Sequence, residues 1–234
     1  MILCLETSTP VCSVALCSKN GLVALKESSE DKSHASRLTV FIQELLSGAG
    51  IRAADLEAVA VSKGPGSYTG LRIGVSTAKG IAYAASIPLI GVETTLSMFH
   101  GIDETLKVRY LLNKTSLFIP MLDARRMEVY YSIFTSEGES VKEVAAEIID
   151  GMSFSNIPEN TRILIFGDGA LKCRQVLKRR NIEFADDFRI SAAYMYEPAY
   201  KLLRERRFED IAYFEPYYLK DFITSRPKKN ILGR

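Results

Sequence analysis

Residues 58–92 read AVAVSKGPGSYTGLRIGVSTAKGIAYAASIPLIGV, and this segment sets the architecture. The apolar run over 58–62 predicts a buried strand, and a Lys-Gly-Pro-Gly turn follows it. Small and apolar residues over 67–85 predict a long helix, and residues 88–92 predict another strand. This order of strand, helix and strand is typical of an α/β fold.

The residues before this segment predict three strands and a second helix. Apolar, β-prone runs over 1–5, 12–16 and 21–25 predict a meander. The period then changes to that of a helix closed by Gly50. Its apolar stripe consists of Leu38, Phe41, Ile42, Leu45, Leu46 and Ala49.

The second half of the chain resembles the first. Leu5-Glu6 and Leu122-Asp123 each place an acid after an apolar run, 117 residues apart. Residues 163–169, ILIFGDG, repeat the pattern of a strand ending in Gly-x-Gly seen at 59–66. We therefore expect two α/β lobes, each with a mixed sheet, over residues 1–105 and 106–234, with a cleft between them.

The composition is that of an ordinary globular protein. The 234 residues include 30 Lys+Arg and 28 Asp+Glu, and 47% are hydrophobic, which excludes disordered and fibrous classes. The four cysteines form no C-x-x-C pair, so we expect them to be reduced and buried. No stretch is long and apolar enough for a membrane span, and no basic leader precedes the first apolar run. We expect a cytoplasmic protein without a membrane partner.

Two local patterns are compatible with nucleotide binding. Gly64-Pro65-Gly66-Ser67 lies between a strand and a helix, where free amides favour an anion, but it fits neither a Walker A loop nor G-x-G-x-x-G. Glu6 and Asp123 end the first strand of each expected lobe, where carboxylates can hold hydrated magnesium. The alternatives are a structural turn and capping acids. With only His34 and His100, no metal or triad motif can be assembled.

The helix over 67–85 has only two charges, Arg72 and Lys79, and small residues recur on it every four positions. Gly70, Gly74, Ala78 and Ala82 form a flat stripe that lets another backbone approach. Either the helix is central within this chain, or it forms a subunit interface together with the helix that carries Leu38. The basic C-terminal end, 220–234, is either a solvated tail or a contact for RNA phosphates.

The chain resembles the TsaB (YeaZ) family, accessory subunits of the bacterial system that makes threonylcarbamoyladenosine in tRNA. The resemblance covers most of the chain in order: LETSTPVCSVAL from residue 5, KGPGSYTGLRIGVSTAKGIAYAASIPLIGVETT from 63, MLDARRMEVYYSIF from 121, GDGA from 167 and EPYYLKDF from 215. It implies the two-lobed fold of actin-like and sugar-kinase-like ATPases (ASKHA), with a duplicated mixed sheet and flanking helices.

The family is similar to TsaD, the catalytic subunit that transfers the threonylcarbamoyl group to the adenosine beside the anticodon. TsaD holds a metal partly through an H-x-x-x-H pair, and the two matching positions here are Thr94 and Met98. Neither side chain replaces an imidazole. The resemblance therefore implies a scaffold or activator with no catalytic residue and no metal of its own.

The resemblance implies a heterodimer with a TsaD homologue through the first two long helices, and a homodimer when the chain is alone. It further implies work with the ATPase TsaE, supply of threonylcarbamoyl-adenylate by TsaC, and contact with tRNA through the complex. The expected interface residues are Leu38, Phe41, Ile42, Leu45, Gly70, Leu71, Gly74, Ala78 and Ala82, and Gly74→Leu is expected to block assembly without unfolding the chain.

The resemblance implies no tightly bound cofactor, but it is compatible with ATP or ADP near the joint between the subunits, with Glu6, Thr7 and Gly66 as candidate contacts. Two alternatives remain open. The chain could be a stand-alone ATPase or kinase of the same superfamily, or, with less support, a metallopeptidase.

Overall fold

Two five-stranded mixed sheets form the frame of the molecule. The computed structural model describes residues 1–29, 34–102 and 116–219. The first sheet has the order β3-β2-β1-β4-β5, in which β1 is antiparallel to β2 and parallel to β4. Its strands are β1 (Ile2–Glu6), β2 (Cys12–Ser18), β3 (Gly21–Ser28), β4 (Ala58–Gly64) and β5 (Leu89–Glu93).

The second sheet repeats this topology. Its order is β10-β9-β6-β7-β8, with β6 antiparallel to β7 and parallel to β9. Its strands are β6 (Leu117–Asp123), β7 (Glu128–Thr135), β8 (Ser140–Ile148), β9 (Ile163–Phe166) and β10 (Ile182–Ala185). The duplication and the two-sheet α/β architecture expected from the sequence are therefore confirmed.

Helices cover the sheets. The described α-helices are α1 (His34–Gly48), α2 (Tyr68–Ala85), α3 (Thr94–His100), α4 (Ala170–Cys173) and α5 (Tyr196–Arg204), and short 3-10 helices occupy Ala53–Asp55 and Ala192–Met195. Among the described residues, no helix is long and apolar enough to cross a membrane.

The alternation of side chains along the strands divides the core of the first lobe into two layers. Leu3 and Leu5 lie on the face of the sheet that α1 and α2 cover. Ile2 and Cys4 lie on the opposite face, against Ala192–Met195 and α5. Successive side chains of a strand point to opposite faces. Since both pairs are buried, both faces of β1 are covered. All four cysteines are buried and unpaired, as expected.

The path of the chain differs from the expected division at residue 105. That boundary lies outside the described residues. Met98 and Phe99 of α3 pack on the second sheet, although they belong to the first half of the sequence. Conversely, Ala192–Arg204 packs on the first sheet. Each half of the sequence thus covers a face of the other half's sheet, and the last described elements of 106–234 pack on the first lobe.

The segment Glu209–Tyr218, here called the strap, also returns to the first lobe. Glu209 N–H donates to the carbonyl of Leu89 at 2.9 Å, in an antiparallel bridge with β5. Tyr217 N–H donates to the carbonyl of Lys63 at the end of β4, at 2.6 Å. Phe214 is buried in the core beneath α2. The strap therefore borders α2 along the edge of the first sheet.

Candidate functional site

The glycine-rich turn between β4 and α2 packs against the end of β1. Ser67 is the N-cap of α2, and its hydroxyl accepts a hydrogen bond from Gly70 N–H at 3.3 Å. The amide of Ser67 donates to the carbonyl of Ser8 at 2.6 Å. A Cβ at Gly66 would lie 2.5 Å from the same carbonyl oxygen. The Ser67 amide, a candidate phosphate ligand in the sequence, thus forms a hydrogen bond within the chain. At this point the turn has a structural role.

Glu6 and Thr7 form the core of the same junction. Glu6 Oε1 accepts a hydrogen bond from Ser8 N–H at 2.6 Å, and Oε2 accepts one from the Ser62 hydroxyl. Burial raises the pKa of the Glu6 carboxyl above its ordinary value, while the hydrogen bonds from Ser62 and Ser8 act in the opposite direction. The Thr7 hydroxyl donates to the carbonyl of Gly70 at 2.8 Å.

The structure therefore brings the three candidate nucleotide contacts, Glu6, Thr7 and Gly66, together in one junction. Glu6 and Thr7 have no accessible surface, so neither side chain can touch a nucleotide or its metal. Gly66 is partly exposed and is held against Ser8. The residues present do not fit the nucleotide expected here. ATP or ADP at the joint between subunits stays a prediction without assigned contacts.

Asp123, the corresponding acid of the second lobe, likewise forms bonds within the chain. Asp123 forms an ion pair with Lys172 and accepts a hydrogen bond from Arg125 N–H at 2.7 Å. These bonds close the turn between β6 and β7, which makes Asp123 a turn-stabilising residue.

A cavity of about 280 Å³ is lined by residues from both halves of the chain. It lies between the loop after β1 and the loop after β9, and its lining is mostly apolar: Pro10, Val11, Met98, Leu122, Phe188 and Ile190 are its apolar side chains. Among the residues that the structure describes, Arg189 is the only cation in this lining, which also includes Asp168. A nucleoside triphosphate needs several cationic or amide donors for its phosphates, so this cavity is poorly suited to one.

The expected interface residues face the interior of the chain. All of them are buried within the chain: Leu38, Phe41, Ile42 and Leu45 of α1, and Gly70, Leu71, Gly74, Ala78 and Ala82 of α2. The reason is that both helices lie on one face of the first sheet and turn these stripes toward it. A Cβ at Gly70 would overlap the Thr7 carbonyl, and one at Gly74 would overlap the Thr7 hydroxyl. Gly70 and Gly74 thus permit close contact with Thr7, the residue that follows β1.

The opposite sides of the same helices are open to solvent. We call the exposed residues Val40 and Gln43 of α1 and Ser76, Gly80 and Tyr83 of α2 the outward face. Val40 is 45% exposed and Tyr83 is 79% exposed. A Cβ at Gly80 would meet no atom within 4 Å. The outward face thus carries the exposed apolar side chains of Val40 and Tyr83, and the exposed charged residues Glu44 and Arg72 lie on the same helices.

Lys79 of α2 contacts the strap directly, whereas Arg72 approaches it through an aromatic pair. Lys79 Nζ donates to the carbonyls of Ala212 and Phe214 at 3.2 and 3.0 Å. The guanidinium of Arg72 lies 4.6 Å from the centre of the Tyr68 ring, which in turn contacts the Tyr218 ring at a centroid distance of 5.0 Å. The seven-residue spacing of these cations signalled a common face, but nothing in their pattern indicated the segment that they contact.

Helix α3 carries the two positions at which the resemblance expects histidines. Thr94 and Met98 are both buried, and the Thr94 hydroxyl has no hydrogen-bond partner among the described residues. His100, in contrast, lies in the last turn of α3 and pairs with Glu197 of α5 at 2.7 Å.

Comparison with known proteins identifies the family. The model of the TsaD family, described as tRNA N6-adenosine threonylcarbamoyltransferase, matches residues 25–216. The chain is 28% identical to the tRNA threonylcarbamoyladenosine biosynthesis protein TsaB of Haemophilus influenzae, over 95% of this chain and 94% of that protein. It is 33% identical to the TsaB protein of Escherichia coli, but this match spans only 60% of the chain and 57% of the relative.

A solved structure supports the fold. The structure of YeaZ from Pseudomonas aeruginosa aligns with a TM-score of 0.75 at 22% identity, covering 93% of this chain and 99% of that one. At this identity the likeness shows a shared two-lobed architecture.

Proposed function

This chain belongs to the TsaD family of tRNA N6-adenosine threonylcarbamoyltransferases, and we propose that it acts as a TsaB-type subunit that supports the transfer without catalysing it. The similarity to TsaB proteins along nearly the full length of the H. influenzae relative supports this role. The TsaB-type chain would pair with a TsaD homologue, which supplies the reacting groups.

The proposal is supported chiefly by the side chains of α3 at the two positions where a TsaD-like protein has histidines. Thr94 and Met98, at the two positions where a TsaD-like metal site needs imidazoles, are buried in the fold. A hydroxyl and a thioether are poor ligands for a divalent catalytic metal, and buried side chains cannot receive a substrate. Among the described residues, no group of three or more His, Cys, Asp or Glu side chains is arranged to hold a metal ion.

The outward face is the surface that best suits the partner. Large side chains without cover, such as Tyr83 and Val40, add apolar area that association can remove from water. Gly80 would allow the backbone of a neighbouring helix to come close. We infer that the TsaD homologue covers this face, and that a second copy covers it when the chain is alone.

The remaining partners follow from the pathway. The heterodimer would work with TsaE, receive threonylcarbamoyl-adenylate made by TsaC, and meet tRNA as a complex in the cytoplasm. ATP or ADP would bind at the joint between the subunits. The basic end over 220–234, a candidate contact for tRNA, lies outside the described residues.

Reconstitution tests the proposal. Threonylcarbamoyl transfer to tRNA is measured with TsaC, TsaE and the TsaD homologue, with and without this chain. We expect transfer only when both the chain and the TsaD homologue are present. Transfer by this chain in the absence of the TsaD homologue would contradict the proposal, as would magnesium-dependent ATP turnover or chelator-sensitive peptide hydrolysis by the chain alone.

A further inference from the structure

Tyr213 combines a firmly held backbone with a free side chain. Lys79 holds the carbonyls of the residues on either side of it, Ala212 and Phe214. Asp210 Oδ1 accepts hydrogen bonds from the amides of Ala212 and Tyr213 at 2.8 and 3.3 Å, and the carbonyl of Asp210 accepts one from Phe214 N–H at 2.8 Å. The Tyr213 side chain is nevertheless 84% exposed, the largest exposure among the big apolar side chains of the described residues.

Such a residue is suited to binding another protein. Tyrosine is enriched among the side chains that dominate interface energies. A backbone that is already fixed loses little conformational entropy on association, which lowers one of the main costs of binding. The strap has no comparable use inside the chain for this ring, since Phe214 is the residue that anchors the strap in the core.

The position of Tyr213 joins it to the outward face. Lys79 contacts the backbone on both sides of Tyr213, and Tyr83 follows Lys79 by one helical turn on the same side of α2. Lys79 therefore links the two most exposed tyrosines of the described residues, through the backbone on both sides of Tyr213 and through its helical neighbour Tyr83. A protein that covers Tyr83 would reach Tyr213 as well.

The charges near this surface favour a different protein over a second copy. Helix α2 contains Arg72 and Lys79 but no Asp or Glu. Neither cation forms an ion pair within the described parts of the chain, because Lys79 bonds neutral carbonyls and Arg72 lies over a ring. A symmetric contact between two α2 helices would bring like charges together. A partner with carboxylates opposite these cations would not meet this cost.

We propose that the strap is part of the docking surface for the TsaD-family subunit, with Tyr213 as an anchoring side chain and Lys79 as the residue that positions it. This inference rests on the proposed function. It adds a second element to the outward face and assigns to the partner an apolar pocket for the tyrosine, with acidic groups beside it.

The test is the dissociation constant for the TsaD homologue, measured by calorimetry with the full chain. We expect Tyr213→Ala to weaken binding by about tenfold or more, as truncation of an anchor does. Because the ring is exposed, the melting temperature should stay within a degree or two of the wild type. Met152→Ala is the matched control, since Met152 is 73% exposed on the other lobe and should bind like the wild type.

Lys79→Met separates positioning from contact. It keeps the aliphatic stem and removes the two hydrogen bonds to the strap. We expect faster amide exchange over the strap together with weaker binding of the TsaD homologue. Faster exchange with unchanged affinity would overturn the positioning role of Lys79.

The outcomes distinguish this inference from the proposed function. If Tyr213→Ala binds as the wild type does while Tyr83→Asp abolishes binding, the outward face stands and the strap proposal fails. If Tyr213→Ala weakens only self-association in sedimentation experiments, the occupant is a second copy and the assignment to the TsaD-family subunit is wrong. If the wild-type chain does not bind at all, the proposed function itself fails.

Discussion

Gly74 and Gly80 lie on the same helix but have opposite surroundings. A Cβ at Gly74 would overlap the Thr7 hydroxyl, whereas a Cβ at Gly80 would meet nothing within 4 Å. Each glycine lowers the intrinsic stability of the helix by roughly 1 kcal/mol relative to alanine. Only at Gly74 does a close contact within the chain, with Thr7 after β1, offset this loss of helix stability. Because a side chain at Gly74 would overlap Thr7, we expect Gly74→Leu to destabilise the fold, in contrast to the intact fold expected from the sequence.

This contrast predicts opposite effects of one substitution. Gly74→Ala should lower the free energy of unfolding by about 1–3 kcal/mol because the added methyl group overpacks the junction with Thr7. Gly80→Ala should raise it by about 0.5–1 kcal/mol because the helix gains propensity without a clash. Urea denaturation of both variants measures these changes. A loss of stability in Gly80→Ala as large as that in Gly74→Ala would contradict the two environments.

Glu6 predicts a dependence of stability on pH. Its pKa is raised in the folded state by burial, so the folded chain holds this proton more tightly than the unfolded chain does. The stabilisation from the protonated carboxyl is present below the ordinary carboxyl pKa, and it is lost as pH rises through the raised folded value.

Glu6→Gln should therefore be more stable than the wild type at pH 7, with the difference shrinking toward pH 4. The amide can still accept from Ser8 N–H and can donate to the Ser62 hydroxyl. Unfolding free energies of the two proteins across this pH range provide the measurement. A variant that is less stable than the wild type at neutral pH would show that the hydrogen bonds to the carboxylate outweigh its burial.

Helices α1 and α2 each have two sides with separate roles. Leu45 is buried against the first sheet, whereas Val40 is 45% exposed on the outward face. Leu45→Ala should cost about 2–5 kcal/mol of stability through the lost contacts and the cavity left behind. Val40→Asp should change stability by no more than about 0.5 kcal/mol, as exposed substitutions usually do, and should weaken association with the TsaD homologue.

Thermal denaturation and calorimetric binding of the two variants measure these effects. Leu45→Ala serves as the control for lost stability, since it leaves the outward face unchanged. Unaltered binding by Val40→Asp would mean that the partner lies elsewhere on the chain.

The helices also show where sequence reasoning succeeds and where it stops. The helical spacing of apolar residues from Leu38 to Ala49 predicts α1, and the turn at Gly64 predicts the start of α2. Both predicted helices agree with the observed bounds to within a few residues. The side of α2 that meets a partner could not be predicted, because a helix with small or apolar residues nearly all round has no unique buried face. Only the position of Thr7 against Gly70 and Gly74 resolves which side is internal.

At the scale of the whole molecule, the sequence predicts the repeated sheets but not the path of the last elements. The repeat of Leu5-Glu6 at Leu122-Asp123 correctly predicted two sheets of the same topology. The return of α5 and the strap to the first sheet has no such signal, since it depends on contacts between residues far apart in sequence. This return places Lys79 and Tyr213 beside each other and gives the outward face an aromatic border.

The central claim is that this chain is a partner subunit whose outward face binds a TsaD-family protein. The most direct measurement is the mass by light scattering on a sizing column, for the chain mixed with the TsaD homologue. We expect co-elution at the mass of a one-to-one complex. We expect Val40→Asp and Tyr83→Asp to abolish this co-elution while both variants remain folded. Separate elution of the wild-type proteins, with and without nucleotide, would contradict the claim.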